Sequence, residues 1–375
     1  MDQLNQIGHE VAQLGENVWA LAVSPGWDQA AAGDGTGHIQ LWNFDGETLQ
    51  AKMSLEHPGG VFTLAFSPDA HLLVSAGAGQ DIVAWDLNTG KQAWKTTANA
   101  HEGEIWSVVF SPDGRYVASA GYDQTVRVWN AETGSAIGEP FAFDRDVYAL
   151  TFNKGGDQLL VAGYENRIHV LNFSPAGVLQ LVTDLEGHDA AVNSLSFNPQ
   201  FDSILASTSD DKTLRIWNLN LNQPTDPVVG FSESMEAVTF HPYGDELASA
   251  TNNKTVLLWK WDTACAKAWD VAKCRPAQIG MPLVGHITQV QNVAFLSPTK
   301  LLSSSEDGQV ILWDLDRASW YERACAIVND TWDINEQSLY TDGSINTWLL
   351  NLRSWWLVNI KGETPPMEPP CLLDE

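Results

Sequence analysis

Tryptophan recurs at a fixed step in this chain, and that step limits the possible folds more than any other feature. Trp42, Trp85 and Trp129 lie 43 and 44 residues apart, Trp217, Trp259 and Trp313 continue the series, and Leu171 stands at the matching place in the fourth copy. Each of these residues closes a run of alternating apolar and polar positions that reads as the third of three short strands, with a more variable fourth strand after it. The fullest copy starts at Gly187-His188. It continues through an apolar strand (Val192 to Phe197), an Asn198-Pro199 turn, a small-residue strand (Ala206 to Ser209) and an Asp pair, and ends at Thr213-Leu-Arg-Ile-Trp217. Turns such as Ser111-Pro112-Asp113-Gly114 and His241-Pro242-Tyr243-Gly244 begin with a proline that presets φ and end with a glycine that relieves steric limits. A unit of four short strands cannot bury both faces alone. Copies therefore stack, and radial closure leaves few exposed edges. The expectation is an all-β ring of seven blades.

These residues resemble the WD-repeat family over roughly residues 17–315: Gly-His, Ser-Pro-Asp-Gly, Ser-x-x-x-Asp and a terminal Trp-Asp or Trp-Asn. The resemblance implies a β-propeller whose blades each hold a buried hydrogen-bonded set of His, Ser, Asp and Trp. Carried over by position, three copies keep all four: His101, Ser119, Asp123 and Trp129; His188, Ser207, Asp211 and Trp217; His286, Ser303, Asp307 and Trp313. The other copies depart from the pattern. Gly79 replaces Asp in the second and Thr36 in the first; Phe143 and Leu171 replace His and Trp in the fourth; Phe231 and Asn253 replace His and Asp in the sixth. Apolar packing is expected to hold those blades.

Charge narrows the partners. Lys and Arg total 20 against 47 Asp and Glu, a net charge of −27. Such a surface repels phosphate backbones and anionic membranes, so neither nucleic acid nor membrane is expected, whereas a basic protein surface would be steered in. Acidity also serves plain solubility. The N-terminus shows no basic-then-apolar leader, and no run approaches the ~18 apolar residues of a spanning helix, so cytoplasmic residence is the expectation. Four cysteines in a chain of this length form no disulfide framework, and Cys265 and Cys274, in an insertion after Trp259, are read as inert loop cysteines.

The ends are harder to place. Residues 1–318 read as the propeller, and residues 2–8 are positioned to supply the strand that closes the ring. Residues 319–375 read as an extension. Ser338 to Trp348 echoes Leu302 to Trp313, so a degenerate eighth blade is the alternative to seven. Trp320-Tyr-Glu-Arg-Ala-Cys325 is similar to the tail of WD-repeat arrays in microbial multidomain signalling proteins. The run Thr364-Pro-Pro-Met-Glu-Pro-Pro370 excludes helix and inner strand and reads as an extended tail, a candidate proline ligand.

The candidate site comes from register. The residue five positions after each His, or its equivalent, starts the innermost strand, and by the resemblance it faces the surface around the central channel. Around the ring these residues are Trp19, Phe62, Trp106, Tyr148, Asn193, Glu236 and Gln291: four aromatics in consecutive blades, then three polar residues. Tyr122 and Tyr164 precede the Asp position on the same face, and Glu104 and Asp146 neighbour the aromatic crescent. Such a crescent offers a protein or peptide partner large, stiff anchors, with carboxylates available for its Lys or Arg. The competing reading is that these rings pack between blades and close the channel. No helical His pair, calcium loop, Cys-x-x-Cys or phosphate loop occurs, so no metal, cofactor or catalytic set is expected. The segment Ala84 to Trp94 resembles a quinoprotein dehydrogenase repeat but occurs in full once. The expectation is a non-catalytic interaction scaffold or sensor, as a monomer or a subunit of a larger complex; the alternative is a propeller enzyme or small-ligand binder using the channel.

Overall fold

The structure, a computed structural model, describes residues 8–96, 100–229 and 232–316. They form seven antiparallel sheets of four strands each. In blade three, for example, the strands are Ile105–Phe110, Tyr116–Gly121, Thr125–Asn130 and Ala136–Ala142, paired in chain order. The first strands of successive blades pack side by side, and that of blade one meets that of blade seven, which closes the ring. Side-chain hydroxyls tie this inner ring together. Thr63 Oγ1 accepts from Val108 N (3.1 Å), Ser107 Oγ from Leu150 N (3.1 Å), and Ser194 Oγ from Val238 N (3.2 Å).

The second strand of each blade carries small residues because both of its faces are covered by neighbouring blades. Ala30 to Ala32, Ala118 to Ala120 and Ser207 to Ser209 are completely buried. Close packing at native density leaves no room there for larger side chains. The strand-closing Trp residues lie in the seams between blades, with Trp217, Trp259 and Trp313 at most 2% exposed.

The N-terminal segment closes the ring: Gly8–Gln13 pairs antiparallel with Gln309–Asp314 as the fourth strand of blade seven, and residues 2–7 of the expected closing strand lie outside the described residues. Gly8 opposes Trp313, and a side chain at Gly8 would run into that indole ring, so glycine leaves room for it there. His9 therefore lies on the outermost strand opposite Leu312, away from the blade's His position. Seven blades close without an eighth; residues 319–375, with the Trp320–Cys325 tail motif and the proline run, lie outside the described residues, as does Phe231.

Cys265 and Cys274 are joined in a disulfide, with Cα atoms 5.5 Å apart, contrary to the inert pair read from the sequence. They staple an insertion that includes a short 3₁₀ helix, Thr263–Ala266. The reason lies in the neighbouring blade, whose fourth strand is only Gln223–Pro224. The insertion packs over that gap. Trp261, Cys265 and Cys274 join one apolar cluster with Ile216 and Val228 of blade five, Asp226 N donates to Val271 O (3.0 Å), and Trp261 Nε1 donates to Cys274 O (3.1 Å).

Candidate functional site: the upper channel mouth

Blade rigidity comes first, because it positions the mouth. In blades three and five, His101 and His188 bridge Asp to Ser: Nδ1 to Asp123 at 2.8 Å and to Asp211 at 2.7 Å, Nε2 to Ser119 at 2.6 Å and to Ser207 at 2.7 Å. The serine hydroxyls accept from Trp129 and Trp217 Nε1, both at 2.8 Å. Despite burial, the His partners and neighbouring donors hold both Asp carboxyls well below their ordinary range. Blade seven is looser. His286 reaches Ser303 (2.7 Å), but its Nδ1 is 3.7 Å from Asp307, which binds the amides of Ile287 and Gln309 instead.

The degenerate blades are not held by apolar packing alone. In blade one, Asp34, two residues before Thr36, accepts from the amides of Gly15 (2.8 Å), Thr36 (2.8 Å) and His38 (3.2 Å), doing the missing Asp's work from a shifted position. In blade two, where Gly79 removes the Asp, the His57 ring presents Nδ1 to Ser75 (2.9 Å); burial pushes its pKa down to about 4. In blade four, Phe143 stacks on His169, whose Nδ1 meets Asp184 (2.7 Å), while Arg167 bridges Glu165 (3.1 Å) and Asp184 (3.3 Å). A charged cluster there replaces the polar set.

At the upper end of the first strands the register slips by one residue in six of the blades. The unpaired residue is Phe62, Trp106, Tyr148, Asn193, Glu236 or Gln291. A β-bulge of this kind re-aims the side chain it carries, and here it turns one residue per blade into the channel. The tight crossing beneath it explains Gly121: a methyl there would collide with the Glu104 carbonyl and displace the bulge carrying Trp106.

The re-aimed residues line a cavity of about 370 Å³ at the channel mouth, together with Trp19, Tyr122 and Asp210. One wall is continuous aromatic surface. Centroids are 4.7 Å apart for Trp19–Phe62, 4.8 Å for Phe62–Trp106, 5.6 Å for Trp106–Tyr122 and 6.1 Å for Trp106–Tyr148. These rings pack on one another across blades and still border open space. Trp106 Nε1 is a buried donor without a partner among the described residues. Tyr164 stands apart: it is 56% exposed, outside the cavity wall, with the Arg145 guanidinium 5.6 Å from its ring centroid.

The facing wall is polar and acidic. Asn193 Nδ2 donates to Asp210 (2.8 Å), Ser234 Oγ donates to Glu236 (2.8 Å), and Gln291 Nε2 donates to Glu306 (3.1 Å). Burial, with Asp210 and Glu306 nearby, raises the Glu236 pKa. Burial and then Tyr122, Asp146 and Asp210 push the Tyr148 hydroxyl up to about 12; burial, Glu104 and Asp146 raise that of Tyr122. Burial is the main cause of each shift, and nearby carboxylates add to it. Among the described residues, no Lys or Arg lines the cavity to offset those carboxylates. Asp210 and Glu306 were missed by the sequence reading, although they stand just before Asp211 and Asp307, the same repeat position that marked Tyr122 and Tyr164.

No group of three or more His, Cys, Asp or Glu positioned to hold a metal occurs among the described residues. The profile described as "WD domain, G-beta repeat" matches residues 49–86, 94–130, 179–218, 227–260 and 278–314. The chain is a WD-repeat propeller. Among its relatives are periodic tryptophan protein 2 homolog of Mus musculus, 31% identical over 306 residues (81% of this chain and 32% of the relative), and Polycomb protein EED of Chaetomium thermophilum, 28% identical over 168 residues (42% and 28%). Protein tipD of Dictyostelium discoideum is 24% identical over 131 residues, covering 35% of this chain and 19% of the relative. The matched region thus spans a third or less of each relative's length.

Proposed function

We propose that this WD-repeat propeller is a non-catalytic scaffold or sensor that captures a protein partner on its upper face, and that the partner presents a basic side chain to the channel mouth. WD-repeat proteins typically act as protein-interaction scaffolds, which supports the coarse reading. The observation that carries the finer one is the cavity itself, where an aromatic wall faces carboxylates with no cation of its own. A lysine or arginine entering there gains cation–π contact with Trp106 and Tyr148 and donates charge-assisted hydrogen bonds to Asp210 and Glu236. The net charge of −27 steers such a partner toward the protein. Nucleic acid and anionic membrane are opposed by the same field. Cytoplasmic residence stays part of the proposal, although the Cys265–Cys274 disulfide is of a type that a reducing cytosol seldom keeps; the bond found oxidised in a freshly alkylated lysate refutes cytoplasmic residence.

The test is capture with wild type and a Trp106→Ala/Tyr148→Ala variant, after circular dichroism and melting show that both fold. Losing two central aromatic anchors is expected to weaken capture by about 2 kcal/mol, roughly thirty-fold. Undiminished capture refutes the site; a collapsed melting temperature makes the crescent core.

A further inference from the structure

The opposite mouth of the channel has a different character. It opens into a cavity of about 470 Å³ lined by the turn-proximal ends of the first strands and the turns after them, including Pro25, Trp27, Phe66, Phe197, Pro199 and Phe240. In a chain of net charge −27, none of its lining residues is charged. Trp27 sits on its edge, 40% exposed, at the left-handed turn position that Ala70 and Gly114 hold in blades two and three, so a large apolar ring stands there where other blades carry alanine or glycine.

The described chain also leaves the ring on this face. Leu315 N donates to Thr299 O (2.7 Å) in the lower turn of blade seven, and Pro298 O of that turn accepts from His241 Nε2 (2.9 Å) of blade six. Residues 317–375 therefore start beside this mouth. They include Thr364-Pro-Pro-Met-Glu-Pro-Pro370, with one charge in seven residues. A chain of the length of residues 317–363 spans at most about 160 Å when fully extended, ample for that run to return to the channel axis.

We infer that the proline run 364–370 of this same chain docks in the lower mouth, its prolines packed against Trp27 and the flanking aromatic and proline side chains. Proline-rich segments bind aromatic-lined grooves because their extended form is already set and little conformational entropy is lost on binding. Tethering adds an effective concentration in the millimolar range, so a weak contact suffices for high occupancy. The lower mouth is then occupied by the protein itself, which leaves the upper mouth as the face open to a partner.

Hydrogen exchange read by mass spectrometry tests this on the full chain, on a chain ending at Glu363, and on a full-length variant with Pro365, Pro366, Pro369 and Pro370 all changed to Ala. The last keeps the chain length and serves if truncation harms folding. Amides of residues 26–29 and 200–204 are expected to exchange about ten-fold more slowly in the full chain than in either variant, as for a tail docked ten times more often than not. A synthetic peptide of residues 362–372 added to the shortened chain is expected to restore the protection, and Trp27→Ala to abolish it. Equal exchange in all three proteins, or a peptide that restores nothing, overturns the proposal. So does protection that disappears on dilution, which would place the tail in a second copy.

Discussion

Reducing the Cys265–Cys274 bond should destabilise the propeller by a calculable amount. The bond closes a loop with a sequence separation of 9. In the chain-entropy treatment, releasing a loop of this size returns about 9 cal/mol/K to the unfolded chain, or about 2.6 kcal/mol at 25 °C. The packing that the staple supports does not depend on the bond: Trp261 and Cys274 are each 1% exposed, and Asp226 keeps its hydrogen bond to Val271. The loss should therefore stay near the entropic figure instead of spreading into collapse of the blade. With an unfolding entropy of about 2.1 cal/mol/K per residue, a propeller of roughly 300 residues should melt about 4 °C lower. Scanning calorimetry with and without dithiothreitol measures this, and a Cys265→Ser/Cys274→Ser variant should melt at the reduced value and ignore the reductant. Thiol titration of native, unreduced protein supplies the other half of the test. A melting temperature unchanged within 1 °C by reductant, or two reactive thiols in the native state, would refute the argument that this staple stands in for the shortened outer strand of blade five.

Three further outcomes follow from the geometry. Asp211→Ala should cost about 1–2 kcal/mol more than Asp307→Ala, measured by denaturant unfolding, because it also takes a hydrogen bond from a buried imidazole that Asp307 does not bond. The pKa of His57, held near 4 in the folded protein, lies below the ordinary 6.5. The unfolded chain therefore takes up the proton first as pH falls. Stability from this group is full above pH 6.5 and is lost between 6.5 and about 4, up to about 3 kcal/mol, and a His57→Gln variant should flatten that slope in pH-dependent melting. Glu236→Gln should move two readouts in opposite directions, raising the melting temperature slightly by removing a buried charge while weakening partner capture; a fall in both would make Glu236 a structural residue.

Much of this protein was determined by its sequence alone, because the determinants are local. Strand alternation, turn prolines and the Trp step each act within about forty residues, so seven copies repeat the same instruction and the ring follows. The aromatic crescent was legible for the same reason: its residues occupy one register position in each copy. What only the tertiary structure decided depends on groups far apart in the chain. Gly8–Gln13 meets Gln309–Asp314 from the other end of the chain, with Gly8 leaving room for the Trp313 indole. Cys265 met Cys274 where the insertion packs against Ile216 and Val228 of the neighbouring blade. Asp34 and the His169 cluster replaced absent network residues from positions that the repeat pattern does not mark. Asp210 and Glu236, with Glu306 hydrogen-bonded to Gln291, come to face the aromatic wall only after closure sets blades five to seven across the channel from blades one to four. Periodicity specifies the unit; the charge and shape at the centre of the ring arise where all seven units meet.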